Sequence, residues 1–485
     1  MLAILIPVIW GLWLLWKKEF KKRNSLLEVT GAGLIVSVIL ACTVIFGGEL
    51  ELRLFSIGKN MDIFFRVDNV SRVFAAVVTV VWLMSGFFAF EYMKHEKEEK
   101  RYFGFYLCVY GVLLALCFAG NLVTFYLFYE MMTLLSMPLV LHSRSKEAIK
   151  GGLKYLFYSL CGAYMVLFGI YFMNKYALTL DFTAGGTLDM AAAAGNEGIL
   201  LVAIFSMILG FGVKAGMFPL HAWLPTAHPV APAPASAALS GVIVKMGVLG
   251  MLRVVYYVVG ADFIRGTWVQ TTWLILTLIT VFMGSMLAYR EKVLKKRLAY
   301  STVSQVSYIL FGMALLVPEG MTGSMLHVVF HAVIKSCLFL CAGAIIYKTG
   351  RTRVDELKGI GKEMPVTIWC YTFASAALIG IPPASGFISK WHLAVGALES
   401  QISVFSWLGP VVLLLSALLT AGYLLPITVN GFLPGADFDS KGLKKKEPVK
   451  TMLIPLMILA ALAILLGVFP NPLTGYISEI VSTVL

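Results

Sequence analysis

Charged residues are scarce in this chain, and their scarcity decides its class. Only 13% of the 485 residues are charged, whereas 59% are hydrophobic, and no soluble domain of this length has such a composition. No charge run is long enough to form a disordered tail. The sequence therefore predicts an all-α polytopic membrane protein.

Motifs for metal and cofactor binding are also missing. The seven cysteines contain no C-x-x-C pair and most lie inside apolar runs, so we interpret them as small core residues. There is no haem, Fe–S, flavin or nucleotide motif. We therefore expect no metal site and no cofactor in this chain.

The apolar runs number fourteen, although several are shorter than the ~20 residues of a typical membrane span. They lie at about 2–16, 26–46, 69–90, 103–119, 121–141, 152–173, 198–218, 230–258, 267–288, 298–317, 321–347, 365–389, 403–430 and 451–469. Between these runs, 28 of the 39 lysines and arginines fall in the segments 17–23, 91–102, 142–154, 289–297, 348–363 and 431–450. Because basic loops stay in the cytoplasm, this asymmetry predicts that both termini are outside. It also excludes a nucleic-acid surface, since the positive charge follows topology and forms no patch.

Prolines interrupt two of the apolar spans. Five of them separate Lys214 from Lys245, and the stretch IPPASGFIS precedes Lys390. A membrane helix tolerates such breaks only where the freed backbone is satisfied inside a bundle or by water. The two similar interruptions predict two inverted five-helix repeats with discontinuous helices 7 and 12.

This pattern divides the chain into four parts. Residues 1–100 hold helices 1–3 and a β-hairpin on the outer face, because 49–68 alternates apolar and polar residues around Gly58-Lys59-Asn60. Residues 101–260 form the first five-helix repeat and 261–432 the second. Residues 433–485 hold helix 14.

Ionisable residues inside the spans predict a path for protons. A lysine at the bilayer centre costs about 2.5–3.5 kcal/mol, so Lys214 and Lys245 are expected to have a function. Glu130 is the one acidic residue in mid-span, and we expect it to lie near Lys214 and to favour its charged form. A helix-packing role for Glu130 is the alternative. Arg253 is expected to snorkel to the outer surface.

Three further ionisable residues form a stripe on one helix. His327, His331 and Lys335 recur at every fourth position, about 6 Å apart along the axis. We interpret them as part of a proton relay that ends at Lys390. Two histidines four residues apart also occur in zinc sites, but no further ligand accompanies them, and satisfied core histidines are the other alternative.

Two more histidines lie near the proline-rich break. His221 and His228 are expected at its cytoplasmic mouth. They serve either in proton uptake or gating, or in capping the broken backbone. The residues alone do not decide between these roles.

Four segments resemble a known family of antiporter-like membrane subunits. They are GVKAGMFPLHAWLPTAHPVAPAPASAALSGVIVKMGVLGMLR, KKRLAYSTVSQVSYILFG, HVVFHAVIKSCLFLCAGA and GIPPASGFISKW. The family includes the antiporter-like subunits of complex I, membrane subunits of energy-converting hydrogenases and formate hydrogenlyases, and subunits of multisubunit cation/proton antiporters. The resemblance implies fourteen helices with two inverted five-helix repeats. It also implies that Glu130, Lys214, Lys245, the 327–335 stripe and Lys390 occupy the family's ionisable positions on helices 5, 7, 8, 11 and 12.

The resemblance implies a proton-translocating subunit of a redox-driven complex of the hydrogenase or complex I type. Its partners would be other membrane subunits, including redox subunits with Fe–S or Ni–Fe centres, within the plasma membrane of a prokaryote. The alternative is a subunit of a multisubunit sodium/proton antiporter without redox partners. A structural scaffold is a third interpretation, which the intact set of ionisable residues disfavours. Proton and sodium both remain candidates for the transported ion.

Overall fold

The computed structural model describes residues 1–58, 61–435, 438 and 443–485. Within these ranges the one sheet is an antiparallel hairpin of β1 (Leu50–Ser56) and β2 (Asp62–Val67). The hairpin predicted over 49–68 is therefore confirmed. Lys59 and Asn60, which belong to its predicted turn, lie outside the described residues.

Helices make up most of the remaining structure. They are α1 (Leu2–Trp16), α2 (Arg23–Ile45), α3 (Asn69–Tyr92), α4 (Glu99–Cys117), α5 (Leu122–Val140), α6 (Lys146–Tyr176), α7 (Met190–Ala193), α8 (Glu197–Ala215), α9 (Leu224–Val230), α10 (Ala233–Ala238), α11 (Val244–Arg253), α12 (Ala261–Ile264), α13 (Trp268–Arg290), α14 (Leu294–Ala314), α15 (Pro318–Thr349), α16 (Ile360–Glu363), α17 (Pro365–Ile379), α18 (Ser385–Glu399), α19 (Phe405–Phe432), α20 (Lys450–Val468) and α21 (Asn471–Ser482). Short 3₁₀ segments occupy Met93–His95 and Val354–Leu357, and π-helical segments occupy Leu239–Ile243 and Val254–Val259.

The lengths and compositions of these helices fit a multi-pass membrane protein. In the described part of the chain, eleven helical segments are long and apolar enough to cross a membrane, and α1 and α17 are shorter apolar helices. α14 is 21 residues long but begins with a basic turn. The number fourteen, the inverted relation of the repeats and the four-part division of the chain stay predictions.

The hairpin marks one end of the bundle, which we call the hairpin face. Met1 lies beside Leu50, and Thr483 near the carboxyl end lies beside Asp68, so both ends of the chain are on this face. The basic connecting segments contact one another at the opposite face. There, for example, Lys100 Nζ donates to the carbonyl of Lys17.

Two backbone breaks lie where the sequence predicts them. α8 ends at Ala215, followed by Gly216 at φ 79° and an irregular turn before α9. α17 ends at Ile379, followed by Gly380 at φ 93° and two prolines before α18. A positive φ is a conformation that glycine adopts without steric cost, and proline cannot continue the helical hydrogen bonding. Spans 7 and 12 are therefore discontinuous, as predicted.

The centre of the bundle is formed by the helices that carry the candidate residues. The most apolar stretch of Ala233–Val259, which includes Lys245, is 100% buried, and that of α15 is 94% buried. The corresponding stretches of α2 and α19 are only 33% buried, which places these helices at the periphery. The ionisable stripe on α15 thus faces protein and not lipid.

Small residues bring the central helices into close contact. A Cβ at Gly210 of α8 would clash with the Gly162 carbonyl oxygen of α6, and one at Gly247 of α11 would lie 3.1 Å from Lys214 Cβ. Only glycine permits such approach, a common device where helices pack in membranes. α8 therefore packs closely against both α6 and α11 at the level of Lys214.

One predicted loop boundary is wrong. The apolar pattern places Lys295 in the basic segment 289–297, but α14 begins at Leu294 and Lys295 is only 6% exposed. A helix that starts one turn earlier than its apolar run draws the long aliphatic stem of this lysine into the bundle.

Candidate functional site

Lys214, in the last turn of α8, is completely buried and held by hydroxyl groups. Its Nζ donates to Thr133 Oγ1 at 2.8 Å, Ser159 Oγ at 2.8 Å and Tyr155 OH at 3.1 Å. It also lies 4.4 Å from the centre of the Tyr155 ring. Three acceptors satisfy the three donors of an ammonium group, and the ring face adds cation–π attraction.

The carboxylate of Glu130 makes no direct ion pair with Lys214 among the described residues. Its Oε1 is buried and has no hydrogen-bond partner there. The two residues are therefore not in direct contact. That Glu130 lies near Lys214 and favours its charged form stays a prediction. The polar environment of Lys214 comes instead from α5 and α6, through Thr133, Tyr155 and Ser159.

Lys245, one residue into α11, contacts the histidine stripe. Its Nζ lies 2.6 Å from His331 Nδ1 and donates to the Ser240 carbonyl at 2.5 Å. Both side chains are fully buried. Ser240 belongs to the π-helical segment 239–243, which directly precedes α11. A protonated lysine at this position donates to a neutral imidazole.

His327 connects the stripe to α18. Its ring centre is 5.8 Å from that of His331, and its Nδ1 lies 2.8 Å from Ser389 Oγ, immediately before Lys390. The Tyr308 ring stacks on His327 at 5.7 Å, and Lys390 Nζ lies 5.1 Å from the centre of the same ring. His331, His327 and Lys390 thus follow one another through contacts with Ser389 and Tyr308.

Lys335, the last residue of the stripe, and Lys390, on α18, both bind backbone carbonyls. Lys335 Nζ donates to the Leu298 carbonyl of α14 at 3.1 Å. Lys390 Nζ donates to the Leu378 and Ile379 carbonyls at 2.6 and 2.9 Å. These carbonyls are the last of α17, so the helix dipole favours a cation there.

The structure separates the two histidines near the proline-rich break. His221 is partly exposed, and its ring lies 6.1 Å from that of Phe218. His228 is fully buried and stacks on Phe339 of α15 at 4.7 Å. His228 is therefore not at an open mouth, and its ring nitrogens have no partner among the described residues.

Lys295 caps the broken backbone, a role that the sequence had suggested for the histidines. Its Nζ donates to the carbonyls of Pro229 and Ala231, and Ser236 Oγ donates to the His228 carbonyl at 2.9 Å. These bonds satisfy acceptors that the prolines leave without helical partners. The position of Lys295 in an apparent loop concealed this role.

Arg253 lies at the end of α11 nearest the hairpin face, away from the stripe. Its Nη1 and Nη2 donate to the two Asp68 carboxylate oxygens at 2.6 and 2.8 Å. Burial favours the neutral carboxyl, but the adjacent Arg253 guanidinium outweighs it and holds the pKa of Asp68 below its usual 3.8. The arginine is an anchor between α11 and the start of α3, and it does not snorkel freely.

The candidate residues offer proton-exchanging groups but no clustered metal ligands. Among the residues that the structure describes, no group of three or more histidine, cysteine or acidic side chains could hold a metal ion. The assembled groups are amines, imidazoles and hydroxyls, which donate and accept protons.

The hydroxyl groups that contact these residues were not predicted from the sequence. Thr133, Tyr155, Ser159 and Ser389 come from helices distant in sequence from the lysine or histidine that they bind. One signal was present in α5, where Thr133 and Ser136 lie three residues apart on one helix face within an apolar run. In α6, Ser159 is the one serine or threonine.

Family models match most of the chain. The model described as NADH:quinone oxidoreductase/Mrp antiporter, TM, matches residues 119–431. A second, described as NADH-Ubiquinone oxidoreductase (complex I), chain 5 N-terminus, matches residues 54–103.

Curated relatives come from three kinds of membrane assembly. The chain is 31% identical to NADH-quinone oxidoreductase subunit N of Desulforudis audaxviator, over 77% of this chain and 75% of the relative. It is 30% identical to hydrogenase-4 component B of Escherichia coli, over 86% of this chain but only 64% of that relative. It is 28% identical to a Na(+)/H(+) antiporter subunit of Alkalihalophilus pseudofirmus, over 100% of this chain and 96% of the relative.

Solved structures share the fold. A chain of the Mrp complex from Dietzia superposes with a TM-score of 0.86 at 22% identity, covering 100% of this chain and 96% of that one. A chain of respiratory complex I from Thermus thermophilus gives 0.80 at 21% identity, covering 100% and 99%. The matches to the family model and to the complex I relative show that the chain belongs to the NADH:quinone oxidoreductase/Mrp antiporter membrane-subunit family.

Proposed function

We propose that this chain is the proton-translocating, antiporter-like subunit of a redox-driven membrane complex of the hydrogenase or complex I type. The observation that carries the proposal is the contact of Lys245 Nζ with His331 Nδ1 at 2.6 Å, in the most buried part of the bundle. An amine and an imidazole at hydrogen-bond distance can pass a proton between them without any cofactor.

The proposed path crosses the bundle sideways. A proton is taken up near the broken seventh span, reaches Lys214, moves to Lys245 and the 327–335 stripe, and leaves near Lys390. Glu130 influences Lys214 from a distance, the partly exposed His221 serves uptake, and the buried His228 serves gating. α8 and α11 touch at Lys214 and Gly247, which brings the first two lysines onto adjacent helices.

Buried polar atoms support water-assisted steps between these groups. His228, His327, His331 and Gln305 each keep at least one buried ring or amide atom without a hydrogen-bond partner among the described residues. Such atoms in proteins are normally bonded to ordered water. Water at these positions would join side chains that do not touch directly.

The energy needed to move a proton against the membrane potential is within the range that a change in the pairing of a buried group can supply. Moving one charge against ~100 mV takes about 2.3 kcal/mol, so a ~200 mV gradient takes about 4.6 kcal/mol. Shifting a buried group from an unpaired to a paired state changes its energy by about 3–5 kcal/mol. The electron transfer that supplies this energy takes place in partner subunits, which we propose carry Fe–S or Ni–Fe centres.

The distribution of basic residues supports an orientation. We propose that the hairpin face, with both termini, points out of the cell and that the opposite face, with the basic segments, lies in the cytoplasm of a prokaryote. A pH-sensitive dye on a Ser56→Cys variant whose native cysteines are replaced would report the outer pH in whole cells if this orientation is right, and the cytoplasmic pH if it is inverted.

A test uses vesicles that contain the intact complex with its partner subunits. Lys245→Ala is expected to lower proton movement per electron at least about tenfold, because the relay loses its central group. Lys175→Ala, which changes an exposed lysine near the hairpin face, is the matched control and should leave proton movement unchanged. Assembly of each variant is checked by the subunit composition of the purified complex. Full proton movement in an assembled Lys245→Ala complex would reject the relay.

A sodium/proton antiporter component is the second candidate. The observation in its favour is coverage: the chain aligns over its whole length with the Alkalihalophilus antiporter protein and with a chain of the Mrp complex. The two proposals differ in their need for electrons. Sodium-driven pH change in vesicles without an electron donor supports the antiporter, whereas co-purifying Fe–S signals and donor-dependent acidification support the redox complex.

A further inference from the structure

An apolar groove lies on the side of the bundle away from the proposed relay. It runs between α3, α15 and α20 and is closed at the hairpin face by α21 and the end of α2, and its volume is about 540 Å³. Volumes of ~300–1,000 Å³ are typical of sites for small ligands. Its walls are mostly valines and leucines, so the occupant that fits them is itself apolar.

A single arginine stands at the end of the groove nearest the hairpin face. Arg72 Nη2 donates to the Gly47 carbonyl at 2.9 Å and Nη1 to Asn69 Oδ1 at 3.3 Å, while its Nε is buried without a partner among the described residues. No carboxylate forms an ion pair with Arg72 within that part of the chain. Tyr476 adds a hydroxyl at the same place, 3.1 Å from Asn69 Oδ1.

A guanidinium that has neutral hydrogen-bond acceptors but no ion-pair partner among the described residues, at the end of an apolar groove, is suited to an anionic lipid. Arginine binds phosphate oxygens with its fixed planar donors, and such charge-assisted bonds are among the strongest in proteins. From Arg72 to Val80 the groove follows eight residues of α3, about 12 Å along the helix. A phosphate at Arg72 with an acyl chain running inward has the orientation of a phospholipid in the leaflet on the hairpin side.

The charge at the end of the groove decides between a partner helix and a lipid. An apolar helix of a partner protein would leave the Arg72 guanidinium without an anion. A phospholipid supplies both a phosphate for Arg72 and an acyl chain for the apolar walls.

The groove shares a wall with the histidine stripe. Val329 and Val333 of α15 line it, and each lies two residues after a stripe histidine, His327 or His331. Residues two apart point to nearly opposite sides of a helix. An occupant of the groove therefore packs against the back of the helix whose front contacts Lys245 and Ser389.

We propose that this groove is a binding site for an anionic phospholipid, with the phosphate on Arg72 and one acyl chain along α3 and α15. The site stands independently of the proposed proton path, because it rests on the groove and the arginine alone. Its occupant supports α15 from behind and so keeps the stripe in contact with its partners.

The test measures lipid retained by the delipidated full-length chain, by native mass spectrometry after titration with phosphatidylglycerol or with diacylglycerol of the same chains. Arg72→Leu is expected to weaken phosphatidylglycerol binding by about tenfold or more, because the phosphate loses its charge-assisted hydrogen bonds. It should leave the weaker diacylglycerol binding unchanged. Arg72→Lys, which keeps the charge, should bind better than Arg72→Leu and shows that loss is not due to misfolding.

Two further variants locate the site. Val77→Trp fills the groove and should abolish binding of both lipids at this site, whereas Arg53→Gln, on the hairpin but outside the groove, should change neither. Equal phosphatidylglycerol binding by wild type and Arg72→Leu, or by wild type and Val77→Trp, would overturn the proposal. So would a photo-crosslinker at Phe46 that labels a partner polypeptide and not lipid in the assembled complex.

Discussion

Substitutions of the two residues in the Arg253–Asp68 ion pair are expected to lower the stability of the protein by different amounts. The Arg253 side chain is 2% exposed, whereas that of Asp68 is 27% exposed. If the carboxylate is removed, the arginine remains as an unpaired charge in the bundle. If the arginine is removed, the carboxylate can still reach water. Removing the Asp68 carboxylate should therefore destabilise the protein more than removing Arg253.

The magnitude follows from the contacts. Removing one partner of a buried pair costs about 3–5 kcal/mol. Asp68→Asn should lower the free energy of unfolding by about 3 kcal/mol, the low end of this range. Asparagine still accepts one N–H of Arg253 and still caps α3 by accepting from Ser71 N. Arg253→Met should cost about 2 kcal/mol, through the lost hydrogen bonds and the cation–π contacts with Tyr257 and Phe182.

The double variant separates this explanation from simple loss of packing. Asp68→Asn with Arg253→Met should be more stable than Asp68→Asn alone, because the uncompensated cation is gone. The free energy of unfolding in mixed micelles is measured for both single variants and the double variant. Asp62→Asn, which breaks an exposed pair with Arg53, is the control and should change stability by less than about 1 kcal/mol. The reasoning is refuted if Arg253→Met is the more destabilising single change, or if the double variant is the least stable.

The pH dependence gives the same pair a second test. Because the pKa of Asp68 is lower in the folded protein than its usual 3.8, the unfolded chain takes up this proton first as the pH falls. The contribution of the pair is therefore complete above about pH 4 and is lost below it, as the pH passes through the folded value. The stability difference between wild type and Arg253→Met should shrink over that acidic range and stay constant above it.

Two other predictions concern the surroundings of Lys214. Thr133→Val removes one of the three hydroxyl acceptors of Lys214 without changing side-chain shape. It should slow proton movement in vesicles about tenfold, because a hydrogen bond to a charged group contributes about 1.5–3 kcal/mol. Thr133→Ser keeps the hydroxyl and should move protons at the wild-type rate, and equal rates in wild type and both variants would count against a charged Lys214. Gly210→Ala places a methyl group against the Gly162 carbonyl oxygen and should lower the free energy of unfolding by about 1–3 kcal/mol. The control Gly198→Ala places its methyl group in open space and should be neutral or stabilising. If Gly210→Ala left the free energy of unfolding unchanged, α6 and α8 would be free to separate.

Local features of the fold were readable from the sequence because short-range rules determine them. The hairpin follows from alternation of apolar and polar residues over 49–68. The two breaks follow from proline and glycine next to Lys214 and before Lys390. Composition identified the membrane helices for the same reason, since each must satisfy its backbone within one continuous segment.

Contacts between distant segments were not readable in the same way. The acceptors of Lys214 come from residues 55 to 81 positions earlier in the chain, and no local pattern links them to it. Charge alone suggested Glu130 as the nearest partner, because opposite charges are the obvious pairing in a nonpolar medium. The protein uses hydroxyl groups instead. These groups are short, uncharged and common in apolar runs, so the pairing of Thr133 and Ser136 on one face of α5 is a weak signal for them.

The two central lysines differ in a way that gives the proposed path a direction. Lys214 is surrounded by alcohols and aromatic rings, which stabilise an ammonium group but cannot take its proton at neutral pH. Lys245 contacts an imidazole, which can. On the proposed function, the first site holds a proton and the second exchanges it, so the proton moves from Lys214 towards Lys245 and His331. The close contact at Gly247 holds the backbones of α8 and α11 together and so sets the separation of the two lysines for this step.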